Sequence, residues 1–153
     1  MTRAEVREHI FKLIFRVEFN DPEDMPEQIR VYFEDPYKED LNSDTPESDD
    51  RVCLFSEENE AYITGKYNAI TGMLGELDKC INEASKGWDT ARMGKVELAI
   101  LRLAVYEMKY DDNIPVGVAI DQAVELAKKY GQDESASFVN GILATVAKTV
   151  DDK

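Results

Sequence analysis

The sequence is poor in the residues that most chemistry uses. It holds one histidine, His9, and two cysteines, Cys53 and Cys80, in 153 residues. A lone histidine excludes a multi-histidine metal cage. The cysteines fit no metal-ligand spacing and are too few for a disulfide scaffold, so both read as free thiols of a reducing compartment. Glycine-rich phosphate loops are missing; Gly72 and Gly75 stand alone. The carboxylates Asp44, Glu47, Asp49 and Asp50 do not follow calcium-loop spacing. No apolar run reaches the roughly 20 residues that span a bilayer. No basic stretch, apolar core and small-residue cleavage site mark a leader, so a cytoplasmic location is expected. No nucleophile has an evident base or metal beside it, and no enzyme is expected. His9 reads as a surface position on the first helix.

Basic residues are also scarce, 18 against 32 acidic, for a net charge of −14. That balance argues against nucleic acid until it is divided along the chain. Residues 1–19 carry +1, residues 20–60 carry −12 and residues 61–153 carry −3. The acidity is one regional feature, so a binding face elsewhere need not be acidic. Its densest part, residues 35–50, is poor in apolar side chains and reads as an exposed or mobile acidic loop.

What is present is helical periodicity. Strand-like alternation persists nowhere. Val96–Tyr110 is apolar on nearly every side, the signature of a buried helix, and the rest should pack around it. Before it, Thr2 with Glu5 forms a capping-box pattern at the head of a helix reaching Phe19. Val6, Ile10, Leu13, Ile14 and Val17 form its stripe, widened by Phe11 and Phe15, while Arg3, Arg7 and His9 leave it. A short helix is expected over Glu27–Phe33. Another starts after Ser56 and breaks at Gly72, and Met73–Ala84 forms a further one. Ser85–Gly94, with the only tryptophan, Trp88, is a connector. Pro115 opens the next helix and Gly131 ends it as a C′ glycine. The last helix follows Asp133. Asn140-Gly141 has the composition of a hairpin turn, but it lies within this helical period, and glycine there allows a close approach. The expectation is an all-α single domain over residues 1–153, with about seven helices in two packed halves, 1–84 and 85–153.

Four segments together resemble the NusB family of transcription antitermination factors. They are ILRLAVYEM at Ile100–Met108, IPVGVAIDQAVELAKKYG at Ile114–Gly131, FVNGIL at Phe138–Leu143, and the W-x-x-x-R of Trp88 and Arg92. Residues 88–143 carry most of the match. The first helix matches the family's arginine-rich opening at Arg3, Arg7 and Glu8, with Phe15 at the family's tyrosine position. Ala4 and Glu5 stand where relatives are often basic.

The resemblance implies an all-helical protein that binds boxA RNA jointly with the ribosomal protein NusE and joins the RNA polymerase antitermination complex. It implies no cofactor. It assigns RNA contacts to Arg3, Arg7, Phe15 and Phe138, with Ser135 adding a polar contact, and the NusE contact to Glu97. The chemistry agrees: RNA recognition uses cations for phosphate and flat side chains for unstacked bases, and Arg3 and Arg7, four apart, share a helix face. Each residue also has a plainer reading: a solvated face for the arginines, core packing for Phe138, a charge at a helix N-terminus for Glu97. Glu107, within the apolar stretch, reads as a structural hydrogen-bonding group. A NusE-binding module with weakened RNA affinity is the alternative function, and a homodimer, C2 by default, is a further expectation.

Overall fold

The computed structural model describes residues 1–34 and 55–150. The acidic loop and Cys53 lie outside the described residues. Among those described, the regular structure is helical: α1 (Arg3–Arg16), α2 (Met25–Glu34), α3 (Glu57–Thr71), α4 (Leu74–Ala84), α5 (Lys95–Tyr110), α6 (Val116–Tyr130) and α7 (Ser135–Ala147), with short 3₁₀ turns at Pro22–Asp24 and Thr90–Arg92. No helix among the described residues is long and apolar enough to cross a membrane.

The chain divides into two compact units, Met1–Tyr67 and Asn68–Lys153. The boundary falls inside α3. The connector at 85–94 therefore lies within the second unit, and α4, which the sequence grouped with the first half, packs on α5 and α7. Leu77 and Ile81 are the reason: both lie on one face of α4 and both are fully buried.

In the first unit, the Thr2 hydroxyl accepts the Glu5 backbone N–H at 3.1 Å, so the first half of the capping box forms. α1 stops at Arg16, short of Phe19, because the Asn20 side-chain amide donates to the Arg16 carbonyl at 2.9 Å. Ile10, Leu13 and Ile14 are fully buried along its stripe. α2 begins earlier than expected, with Pro26 accommodated in its first turn. On its exposed face, Arg30 hydrogen-bonds Glu27 and holds that carboxyl below its ordinary pKa. On α3, burial pushes the Tyr67 hydroxyl up.

His9 is not at the surface. It is 8% exposed, with Nδ1 hydrogen-bonded to the Tyr32 hydroxyl and its ring edge-on to Phe55 at 4.7 Å. Tyr32, Phe33 and Phe55 form an aromatic cluster around it, and the Arg16 guanidinium lies 4.9 Å from the Tyr32 ring. Helical period alone placed His9 off the apolar stripe. The partner that makes its burial tolerable is a tyrosine 23 positions away.

In the second unit, α5 packs on α4, α6 and α7, and α6 packs on α7. Eight apolar residues of α5, from Leu98 to Met108, are at most 2% exposed. The helix also buries two charged residues, Arg102 and Glu107. Arg102 meets Asp78 of α4 in a two-pronged pair, Nε to Oδ1 and Nη2 to Oδ2, each 2.8 Å. Gly131 does follow α6, but not in a left-handed conformation: its φ is −92°. Glycine is needed there because a Cβ would come within 2.5 Å of Ser135 and 2.7 Å of the Ala127 carbonyl. Gly141 is the reverse. It lies inside α7, and a Cβ would meet open space, so no close approach demands it.

Candidate functional site

The residues singled out by the sequence divide between the units. Arg3, Arg7 and Phe15 lie on α1; Glu97, Ser135 and Phe138 lie on α5 and α7. On α1, Arg3 is exposed in the first turn, whereas Arg7, one turn on, is only 7% exposed. Lys12 leans toward Glu8 at 3.9 Å. Phe15 is half-buried in the middle of an aromatic ladder. Phe11, below it, is buried with centroids 6.3 Å apart, and Phe19, beyond it at 4.9 Å, is 61% exposed. The end of α1 thus grades from core to solvent over two turns.

In the second unit the structure joins two residues that the sequence treated separately. The Ser135 hydroxyl donates to Glu97 Oε1 at 2.5 Å and accepts the Gln132 backbone N–H at 2.9 Å. Ser135 is 5% exposed and opens α7; Glu97 is half-buried in the first turn of α5. The glycines at both helix junctions fit this tie. A Cβ at Gly94 would overlap the Glu97 carboxylate, just as one at Gly131 would overlap Ser135. A carboxylate near the N-terminus of α5 also gains from the helix dipole. Glu97 is therefore a fixed negative charge, not a freely moving one.

One turn after Ser135, Phe138 is half-buried. The Trp88 ring stands T-shaped against it, with centroids 5.9 Å apart and planes at 77°. Trp88 itself is 54% exposed. Its loop is tightly built. Lys86 and Gly87 both take positive φ, 40° and 96°, and the Ser85 hydroxyl donates to the Trp88 carbonyl. The Asn82 side chain accepts the Thr90 N–H at 2.7 Å, and Asp89 caps the following 3₁₀ turn through the Ala91 N–H at 3.0 Å. The sequence placed Trp88 in a connector and Phe138 on a helix; nothing in their spacing showed that they touch. Along α6 and α7, Asp121, Glu125, Lys128, Ser137 and Asn140 line a shallow groove of mixed charge.

The described residues hold no cluster of three or more metal-capable side chains. On α1 they offer an exposed Arg3 and aromatic rings that grade from buried to exposed; in the second unit, separately, they offer a carboxylate held in place by Ser135. This class of protein, an all-helical binding protein, has a family. The NusB family model matches residues 4–148, and the chain belongs to the NusB family. It is 48% identical over 146 residues to the transcription antitermination protein NusB of Lachnoclostridium phytofermentans, covering 95% of this chain and 98% of that one. The protein of the same name from Agathobacter rectalis is also 48% identical, over 96% of this chain and all of its own length. Among solved structures, T. maritima NusB aligns with a TM-score of 0.74 at 30% identity, over 97% of this chain and 92% of its own. A structure of the antitermination factors NusB and NusE in complex with dsRNA aligns at 0.70 over 97% of this chain and 99% of its own; at 22% identity it shows the shared fold.

Proposed function

We propose that this protein is a transcription antitermination factor that binds boxA-type nascent RNA together with ribosomal protein NusE, as part of an RNA polymerase antitermination complex. One observation carries the reading: near-half identity, over almost the whole of both chains, with relatives that bear that name. The work is binding, without catalysis or cofactor, and it takes place in the cytoplasm, where nascent RNA is.

In this reading Arg3 meets phosphate from its exposed first-turn position, and Arg7 supports it from a more buried one. Phe15 and Phe138 offer ring surface to unstacked bases. Ser135, the polar contact assigned to RNA at the head of α7, also holds Glu97. Glu97 offers NusE, a basic ribosomal protein, a fixed carboxylate, which speeds encounter more than it adds affinity. A homodimer would be C2 and would compete with these faces where it covers them; sedimentation with and without NusE reads this directly.

A second reading has support from one feature. With Arg7 only 7% exposed and Glu5 beside Arg3, the cationic face of α1 is thin. The protein would then keep NusE binding with reduced RNA affinity. Calorimetry of boxA RNA with and without NusE, at moderate salt, separates the two. Preference for boxA over a scrambled sequence, increased by NusE, supports the first. NusE binding without RNA preference supports the second. Absence of both defeats the proposal.

A further inference from the structure

We propose that Trp88, held against Phe138, is a stacking platform for an unstacked base of single-stranded RNA. The inference rests on the RNA-binding reading above and extends it to a residue outside the set assigned there.

The indole differs from the other aromatic clusters in kind. Around His9 the rings of Tyr32, Phe33 and Phe55 are buried and satisfy one another. Trp88 keeps 54% of its surface exposed, and its single ring neighbour among the described residues, Phe138, meets it at a steep angle rather than face to face. The exposure does not come from a loose loop. Two successive residues in the left-handed region, one of them a lysine, carry the chain into Trp88, and Ser85 fastens its carbonyl. A non-glycine residue at positive φ is uncommon and is held by its surroundings. The fold thus spends backbone strain to present a large flat side chain to solvent. A ring already fixed in place loses little freedom on binding.

Charge selects the occupant. Residues 85–95 contain Lys86, Arg92 and Lys95 against one carboxylate, Asp89, in a chain whose net charge is −14. Lys86 and Arg92 are exposed, and Asp89 is turned to its cap. Cations beside an exposed aromatic face are the combination that tracks a phosphate backbone while stacking its bases. The stacked ring accepts any base, so this platform adds affinity without reading sequence.

Trp88 is the only tryptophan in the chain, so its emission reports this one place. The experiment titrates the full chain with NusE and a labelled boxA oligonucleotide, reading anisotropy of the RNA and emission of Trp88 in parallel. Quenching that saturates with the anisotropy is expected. Trp88→Ala should weaken RNA binding about tenfold, within the range measured for base-stacking aromatics, while Trp88→Phe keeps most of it and NusE affinity stays unchanged in both. If RNA binds with emission unaltered, and Trp88→Ala binds as the parent does, the platform is wrong and the RNA-binding reading survives. If Trp88→Ala loses NusE instead, the surface docks protein and the inference is overturned. If anisotropy shows no RNA binding at all, the proposed function fails first and the platform with it. The emission measurement uses the unaltered protein, so it stands even where the alanine variant folds poorly.

Discussion

The two units solve the same problem with different materials. The second is a helix bundle in the ordinary sense: α5 is wrapped by α4, α6 and α7, and its interior is mostly aliphatic, with Arg102 and Glu107 of α5 and the hydroxyl residues Ser85, Thr90 and Ser135 also buried. The first has an aromatic cluster centred on a histidine. An aliphatic interior is specified by pattern, because each leucine or isoleucine declares its burial through periodicity. A polar-centred cluster is specified by pairs, and each member makes sense only when its partner is known.

Breaking the Arg102 pair tests the second unit most severely. Asp78→Ala leaves a guanidinium buried without its carboxylate and should cost about 3 kcal/mol in chemical denaturation. A loss below 1 kcal/mol would mean that the bundle's aliphatic packing stands without the pair. Next comes Gly131→Ala. The new Cβ meets backbone and Ser135, so about 2 kcal/mol of stability should go, and NusE binding should weaken because Glu97 loses its anchor. Unchanged stability would show that the α6–α7 turn gives way easily. In the first unit, Tyr32→Phe removes the hydroxyl facing His9 and keeps the ring. It should cost roughly 1–2 kcal/mol; no change would reduce the cluster to simple ring packing and erase the contrast. The smallest effect has the opposite sign. Gly141→Ala should stabilise by about 1 kcal/mol, since the position is helical and open. Should it also weaken NusE or RNA binding, a partner approaches the backbone there.

The contrast explains what the sequence revealed. α5 was legible from its all-round apolar character, and α7 from a stripe such as Val139, Ile142 and Val146, all buried. On α6 the stripe Val116, Ile120, Ala123, Val124 and Ala127 found the helix, but only Ala123 and Ala127 of it are buried and the others are half-buried. Periodicity is local and survives without knowledge of partners. His9 was misplaced because its burial depends on Tyr32, and helix boundaries slipped at α1 because Asn20 caps earlier than the stripe ends. Gly131 was placed correctly for another reason: the constraint is a neighbour's side chain, not its own φ. At the candidate site, residue types were readable and their pairings were not. Glu97 with Ser135, 38 positions apart, and Trp88 with Phe138 are contacts of the folded chain. They carry no signature in spacing.

The Asn140-Gly141 pair, helical in α7 rather than a turn, bears on how the protein ages. Asparagine before glycine is the sequence most prone to lose ammonia, because the glycine amide nitrogen can attack the asparagine side chain. That attack needs an extended backbone and a free nitrogen. In a helix the φ and ψ angles hold the two apart, and the amide nitrogen is engaged within the helix. Asn140 is exposed to solvent yet shielded by its own conformation. Conversion of its amide to a carboxylate on storage therefore records how often α7 opens: a slow chemical clock written into the helix that also carries Phe138.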